Sequence, residues 1–367
     1  MSSGPTSVDL EALVSRTLQL VDVASVSGDE SAILRELRAM LPADLAIADD
    51  ADAVLFAVPA ERRPDAPFVV LGGHVDTVPP NGNHPGRREE DDVVGRGAAD
   101  MKGALAVMVE VANGIAHHAI ASDLDVGFLF FGREELPITQ SALLPLLARR
   151  PTASTIDLAI VMEPTANAIE VGCLGNLNAR VVAHGLAAHS ARPWHGRNAI
   201  HGLVDALAPL TRRQPRDVEV EGLRYREVVS VTTIEGGIAG NVVPDLAEAR
   251  VNLRYAPHRS PAEAETLLRE LVAGPDVELE VVGNAPPGPV AVRNPLVQRL
   301  RAAGDLAVGP KQAWTPVAEF ATAGIDAVNF GPGDPQYAHR DDERVDGASL
   351  VRSLEVLRAF LAAREDG

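Results

Sequence analysis

Apolar and polar positions in this chain follow two rhythms that alternate through its first part. Residues 8–23 carry Leu10, Leu13, Thr17, Leu18 and Val21 at helical spacing. Residues 68–73, 126–131 and 158–163 are nearly continuous apolar runs of strand length. Between them, helical patterns follow Gly103 over 104–119 and again over 140–149. Uninterrupted apolar strands separated by helices predict a largely parallel sheet covered by helices on its faces.

From about residue 177 the texture changes. Residues 177–183 alternate as a half-exposed strand does, and 198–207 reads as a helix that Pro209 limits. Strands are expected at 228–233 and 248–255. Ser260-Pro261-Ala262-Glu263 is a capping box for a helix ending near Gly274, and 277–282 is another strand. These elements make a small α+β unit, closed by the linker Ala285-Pro286-Pro287-Gly288-Pro289. The α/β pattern then resumes with a helix near 294–303, a strand at 327–330 and a last helix through Leu350, Leu354, Leu357 and Leu361. The expected fold is α/β: a discontinuous catalytic domain over 1–176 and 285–367, with a smaller α+β domain inserted at 177–284. The acidic run at 89–92 reads as a solvated loop.

Composition narrows the class. The chain has 367 residues, 46% of them hydrophobic, enough to bury a sizeable core. A net charge of −18 argues against a nucleic-acid partner, which needs a basic footprint. It leaves room for an anionic substrate met by a local positive site. Cys173 is the single cysteine, so no disulfide forms within the chain, as suits a reducing compartment. The opening residues show no secretory pattern, and no apolar run is long enough to span a bilayer. The expectation is a cytoplasmic protein with no membrane partner.

The candidate chemistry sits where the apolar runs end. His74 and Asp76 follow the first run, Asp100 lies in Gly-Arg-Gly-Ala-Ala-Asp-Met-Lys-Gly, Glu134 and Glu135 follow the second run and Glu163 closes the third. His339 comes late, in Gly-Pro-Gly-Asp-Pro-Gln-Tyr-Ala-His. Strand ends are where open α/β sheets place their chemistry. A single catalytic zinc needs about three protein ligands, and here there are more. His74 with Glu163 suits one ion and Glu135 with His339 a second. Asp100 has two oxygens and can bridge both, leaving a shared position for water between ions about 3.5–4 Å apart. Asp76 is spaced to reach the far ring nitrogen of His74 and fix its tautomer. Glu134 and Glu135 are adjacent, so one can bind metal while the other stays free as a general base. One carboxylate at a strand end is usually a helix cap or a solvated loop residue. Five such positions, each beside a buried strand or a glycine-rich turn, make that explanation poor, since unpaired buried carboxylates are costly. Cys173 reads as a small buried apolar residue, and Gly331-Pro332-Gly333 as a turn or a close backbone approach.

These motifs, in this order, resemble the dinuclear zinc aminoacylase/carboxypeptidase family over essentially the whole chain. The residues are Gly-His-Val-Asp-Thr-Val-Pro, Gly-Arg-Gly-Ala-Ala-Asp-Met-Lys-Gly, Gly-Arg-Glu-Glu, Met-Glu-Pro-Thr and Gly-Pro-Gly followed by Ala-His-Arg-Asp-Asp-Glu. The resemblance implies two Zn2+ per subunit, with Co2+ or Mn2+ able to substitute. It assigns His74 and Glu163 to one ion, Glu135 and His339 to the other, and Asp100 to both. It makes Glu134 the general base and Asp76 the residue that orients His74, and it matches Asp100–Met101 to a cis peptide. The inserted unit matches a dimerisation domain. His189 then matches a histidine that enters the partner subunit's site to stabilise the oxyanion. Asn241, Arg254 and Thr315 match substrate-binding positions. The implied activity is hydrolysis of a linear amide in a small N-acyl amino acid by a homodimer. Val-Gly-Cys-Leu-Gly-Asn-Leu and Gly-Gly-Ile-Ala-Gly-Asn-Val-Val-Pro-Asp resemble the family's succinyl-amide-cleaving members. Pro316 and Glu319 stand where the pattern carries Asp and Arg, which keeps the acetyl- and dipeptide-cleaving members as the alternative. A metal-binding dimer without turnover is the alternative outside enzymes.

Overall fold

The computed structural model describes residues 7–149, 155–272 and 274–362. Residues 1–6, part of the opening read as lacking a secretory pattern, lie outside them. The chain divides into two compact units. One comprises Met1–Val171, Ala291–Gly309 and Glu319–Gly367, and the other Gly172–Val290 and Pro310–Ala318.

The first unit is built on an eight-stranded sheet. In spatial order its strands are Leu45–Asp49, Val54–Pro59, Asp125–Phe131, Phe68–His74, Leu158–Val161, Ala327–Asn329, Ile169–Val171 and Val308–Pro310. The four central strands run parallel, and antiparallel neighbours flank them on both sides. Phe68–His74 and Asp125–Phe131 are buried at every position, as an interior parallel strand requires. The helices Ser7–Val21, Gly103–Ala116, Pro295–Gly304 and Gly347–Leu361 pack among themselves beside the sheet.

Register puts the chemistry on one edge. His74 lies opposite Phe131, Gly72 opposite Val161, and Val161 opposite Asn329. Central strands therefore end nearly level, and the residues after each emerge together. Gly73 lets the Gly103–Ala116 helix approach this edge. A Cβ there would stand 2.7 Å from Leu105 Cδ2 and 2.9 Å from Met101 Cε. At Gly331 a Cβ would stand 2.4 Å from the Met162 carbonyl oxygen and 2.6 Å from that of Glu163. The Gly-Pro-Gly turn is thus a close backbone approach to a candidate ligand.

The second unit carries a five-stranded antiparallel sheet in the order Arg216–Val220, Leu223–Gly236, Leu246–Tyr255, Gly175–His184 and Val277–Ala285. The helices Ala199–Thr211 and Pro261–Leu271 bury Leu203, Leu207 and Leu268 against Leu177, Val181 and Val251. Ser260 and Glu263 form the expected capping box. Two local expectations need correcting. The Ala199–Thr211 helix runs two residues past Pro209, its apolar face carried on by buried Leu210. The helix opened by the capping box stops at Leu271 rather than near Gly274. Residues 89–92 are solvated as expected, but as the tip of a hairpin in which Arg87–Glu89 and Asp92–Val94 pair.

Glu319 is the anomaly in the first unit's core. It is 2% exposed, its carboxyl hydrogen-bonds the Ser141 hydroxyl, and Oε1 has no partner among the described residues. Burial pushes its pKa up to about 7. A carboxyl that holds its proton longer when folded loses stability as pH rises from its unfolded value towards 7. Glu319→Gln should therefore match the wild type in stability near pH 4.5 and exceed it by about 2–3 kcal/mol at pH 8. Denaturant unfolding across this range checks it, and a pH-independent offset would contradict the shift.

Candidate metal centre

Five residues converge at the level end of the parallel strands. His74, Asp100 and Glu163 present ligand atoms within 4.8 Å of one another, and so do Asp100, Glu135 and His339. Asp100 belongs to both groups. His74 Nε2 lies 2.9 Å from Asp100 Oδ1 and 4.0 Å from Glu163 Oε1. His339 Nε2 lies 2.7 Å from Glu135 Oε1 and 3.6 Å from Asp100 Oδ2. The two Asp100 oxygens thus face the two imidazoles separately. Asp100 sits where the helical backbone is interrupted, at φ −123° and ψ 89°, and the Asp100–Met101 peptide is cis.

Asp76 works on this cluster from behind. Its carboxylate stands 3.6 Å from His74 Nδ1, while its backbone carbonyl lies 3.0 Å from that nitrogen. The carbonyl can only accept, so Nδ1 carries the proton and Nε2 is left to face the cluster. The Asp76 side chain accepts the Ser27 hydroxyl at 2.7 Å and the backbone amides of Glu134 and Glu135 at 3.1 Å each. It thereby fixes the turn that carries both glutamates. Ser27 is a contributor the sequence reading did not find. A serine in a polar turn before a helix has no spacing that marks it, and its role exists only because residues 27 and 76 meet in space.

The protonation pattern is that of a cation-binding cage. Burial disfavours a charge on His74, but hydrogen bonds to Asp100 and Asp76 outweigh it and hold its pKa well above the ordinary imidazole value. The His339 pKa is raised chiefly by its hydrogen bond to Glu135. Burial pushes the Glu134 carboxyl well up; His74 opposes this, and Glu163, Glu135 and Asp100 add to it. Burial alone would raise Asp76, yet its partners His74, Ser27 and the Glu134 amide keep it below the usual range. Protons on the imidazoles and a divalent cation are alternative ways to neutralise the same carboxylates. The donor set, imidazole nitrogen with carboxylate oxygen, suits zinc, cobalt or manganese.

The remaining expected site residues lie in the second unit. His189 is on the short strand Ala188–His189, paired with Val242–Val243, and the Ser190 amide donates to the Asn241 carbonyl at 2.9 Å. His189 and Asn241 are therefore neighbours. His189 Nδ1 accepts the Ala191 amide at 3.0 Å, which leaves the proton on exposed Nε2. Arg254, on Leu246–Tyr255, donates to Asn252 Oδ1 at 3.0 Å. Thr315 is buried, with its carbonyl near Cys173 Sγ, and Cys173 is a buried free thiol.

Comparison with known proteins shows the family of the chain. Residues 70–363 match the model of peptidase family M20/M25/M40. The chain belongs to that family, and it is a hydrolase. It is 38% identical over 348 residues to the DapE protein of Mycobacterium tuberculosis, covering 94% of this chain and 96% of that one. It is 36% identical over 358 residues to the succinyl-diaminopimelate desuccinylase of Corynebacterium glutamicum, covering 94% and 95%. Among solved structures, aminopeptidase PepT of Bacillus cereus shares the fold at a TM-score of 0.76 and 19% identity, covering 96% of this chain and 98% of that one. The YXEP protein of Bacillus subtilis, described as a dinuclear metal binding peptidase of family M20, does so at 0.71 and 14%, covering 97% and 98%. The catalytic domain with an inserted dimerisation domain is the architecture of this family. No helix among the described residues is long and apolar enough to cross a membrane.

If Asp76 holds His74 and the glutamate turn in place, Asp76→Ala should weaken Zn2+ binding about 10–100-fold, the usual loss when a ligand's supporting partner is removed. Competition between the metal-free protein and a chromophoric chelator measures this. Unchanged affinity would deny Asp76 the role.

Proposed function

We propose that this protein hydrolyses the amide bond of N-succinyl-LL-2,6-diaminopimelate to succinate and LL-2,6-diaminopimelate, which supplies lysine and cell-wall precursor synthesis. The observation that carries the reading is the pair of ligand groups sharing Asp100. The relatives named above, 36–38% identical over nearly the whole chain, support the substrate. On this reading His74, Asp100 and Glu163 hold one Zn2+, and Asp100, Glu135 and His339 the other.

Bound there, a pair of zinc ions would polarise the amide carbonyl and acidify a shared water. Glu134 is not needed as a ligand and stands beside both groups. Its raised pKa suits a base that takes the proton of the attacking water and returns it to the departing amine. His189 donates from Nε2 to the oxyanion, reaching the site of the partner subunit. Arg254 clamps a substrate carboxylate, and Asn241 and Thr315 complete the substrate contacts.

The second unit supports a homodimer. Leu223–Gly236 pairs with Arg216–Val220 only as far as Glu227, so the rest of that edge has no partner strand among the described residues. Trp194, Val204, Ile234, Ile238 and Leu246 of the same unit are exposed, Ile238 to 86%. An open edge with exposed apolar side chains suits association with a second copy. Pro316 and buried Glu319 favour a second reading, an amidohydrolase for acetyl or dipeptide substrates. Glu319 offers no positive charge to a succinyl carboxylate.

Glu134→Gln should keep its metal and lose turnover of the succinylated substrate; full activity would remove Glu134 from the base role. His189→Ala should lower kcat about 10²–10³-fold, as loss of one oxyanion donor does. Mixing the two inactive variants should restore activity in hybrid dimers, since one hybrid site keeps its own Glu134 and receives an intact His189. No recovery would argue against a shared site. A panel of N-succinyl, N-acetyl and dipeptide substrates separates the two substrate readings by their kcat/KM.

A further inference from the structure

Glu343 has no part in the reading above, yet it is among the most enclosed carboxylates in the molecule. It is 1% exposed, and each of its oxygens has a defined partner on a segment more than two hundred residues away. Oε1 accepts the Asp100 backbone amide at 3.1 Å. Oε2 accepts Arg96 Nη1 at 2.8 Å, and Arg96 is itself buried. The backbone repeats the link, since the Gly95 amide donates to the Glu343 carbonyl at 2.9 Å.

The same contacts close round His339, four residues earlier. The Arg340 carbonyl accepts Asn83 Nδ2 at 3.1 Å and Arg96 Nη1 at 3.4 Å, and the Arg96 amide donates to the Asn83 carbonyl at 2.9 Å. His339 has φ +64°, in the left-handed region that a non-glycine residue keeps only when its surroundings hold it there. Asp100 is likewise off the helical backbone, so its amide needs an acceptor from elsewhere. Glu343 supplies that acceptor and anchors the His339 turn.

We infer that Glu343 is a positioning residue for the candidate metal centre: its buried carboxylate locks Asp100 to the turn carrying His339 and so sets the ligand spacing of the Asp100–Glu135–His339 site. The other site depends on it less. His74 contacts Asp100 Oδ1 directly at 2.9 Å, and His74 is held by Asp76, not by the 339–343 turn. This inference rests on the two-ion reading of the cluster.

The test is Zn2+ titration of the metal-free protein against a chromophoric chelator, with the melting temperature of the metal-free form measured alongside. In Glu343→Gln the amide oxygen can still accept from Asp100, but an uncharged amide meets Arg96. One of two sites should weaken about 10–100-fold while the other stays within a few-fold of wild type. Arg96→Lys keeps the charge and the Asp100 bond; it should give a smaller loss at the same site and serves if Glu343→Gln does not fold. Two sites of wild-type affinity in the folded variants would overturn the inference. So would equal loss at both sites in step with a lower melting temperature, since that marks a general structural role. Fewer than two sites in the wild type would instead overturn the two-ion reading itself.

Discussion

Carboxylates crowded at one sheet edge repel one another, and the architecture of the first unit answers that constraint. Asp100, Glu134, Glu135 and Glu163 stand together with two imidazoles whose pKa values are raised by them. Such a group is stabilised when positive charge joins it, as protons on the histidines or the glutamate or as a bound cation. The chain could have avoided the cost with apolar residues. It uses a parallel sheet to collect the negative charge and then surrounds it with fixed donors. Ser27 and the amides of Glu134 and Glu135 turn towards Asp76, and Arg96 with the Asp100 amide towards Glu343. Each donor holds a carboxylate that in turn holds a ligand segment, so little reorganisation is left for the moment an ion arrives.

Much of this was legible in the sequence because the ligands are local to strand ends. An apolar run followed by His-Val-Asp or Arg-Glu-Glu states both the strand and what leaves it, and register then carries His74 and Phe131 to the same level. The capping box of Ser260 and Glu263 was legible for a similar reason, since its whole chemistry lies within four residues. Ser27, Arg96 and Glu343 were not readable in this way. Their partners are 49, 247 and 243 residues distant along the chain, and no local periodicity records such meetings. The Asp76 carboxylate shows how far spacing reaches. Its spacing brings it to 3.6 Å from His74 Nδ1, while tertiary approach of Ser27 and the glutamate turn adds partners that no spacing records, and its own backbone carbonyl lies nearer that nitrogen.

Local rules also failed where packing overrode them. A proline inside a helix removes one donor and crowds the preceding turn, yet Ala199–Thr211 continues past Pro209. Leu203, Ala206, Leu207 and Leu210 lie buried on one face, and ending the helix earlier would give up the last of that apolar contact. The acidic run at 89–92 is solvated as expected, but it turns between two paired strands. Charged side chains at a hairpin tip meet water while the flanking backbone pairs.

On the proposed reading an acidic protein meets an anionic substrate, and its positive charge must be concentrated where the chemistry occurs. The net charge of −18 gives no long-range attraction for such a substrate. Recognition must come from fixed local groups, and on the proposed reading these are the metal pair, Arg254 and the Nε2–H of His189. Glu319 sharpens the point. Glu319 is a buried acid whose pKa burial raises to about 7, and it offers no cation. A site that met a substrate carboxylate through that position would lose the paired charge and face a partial repulsion, and unmatched buried charge is what discriminates most strongly between related substrates. On the proposed reading the acyl carboxylate is therefore met by groups other than Glu319.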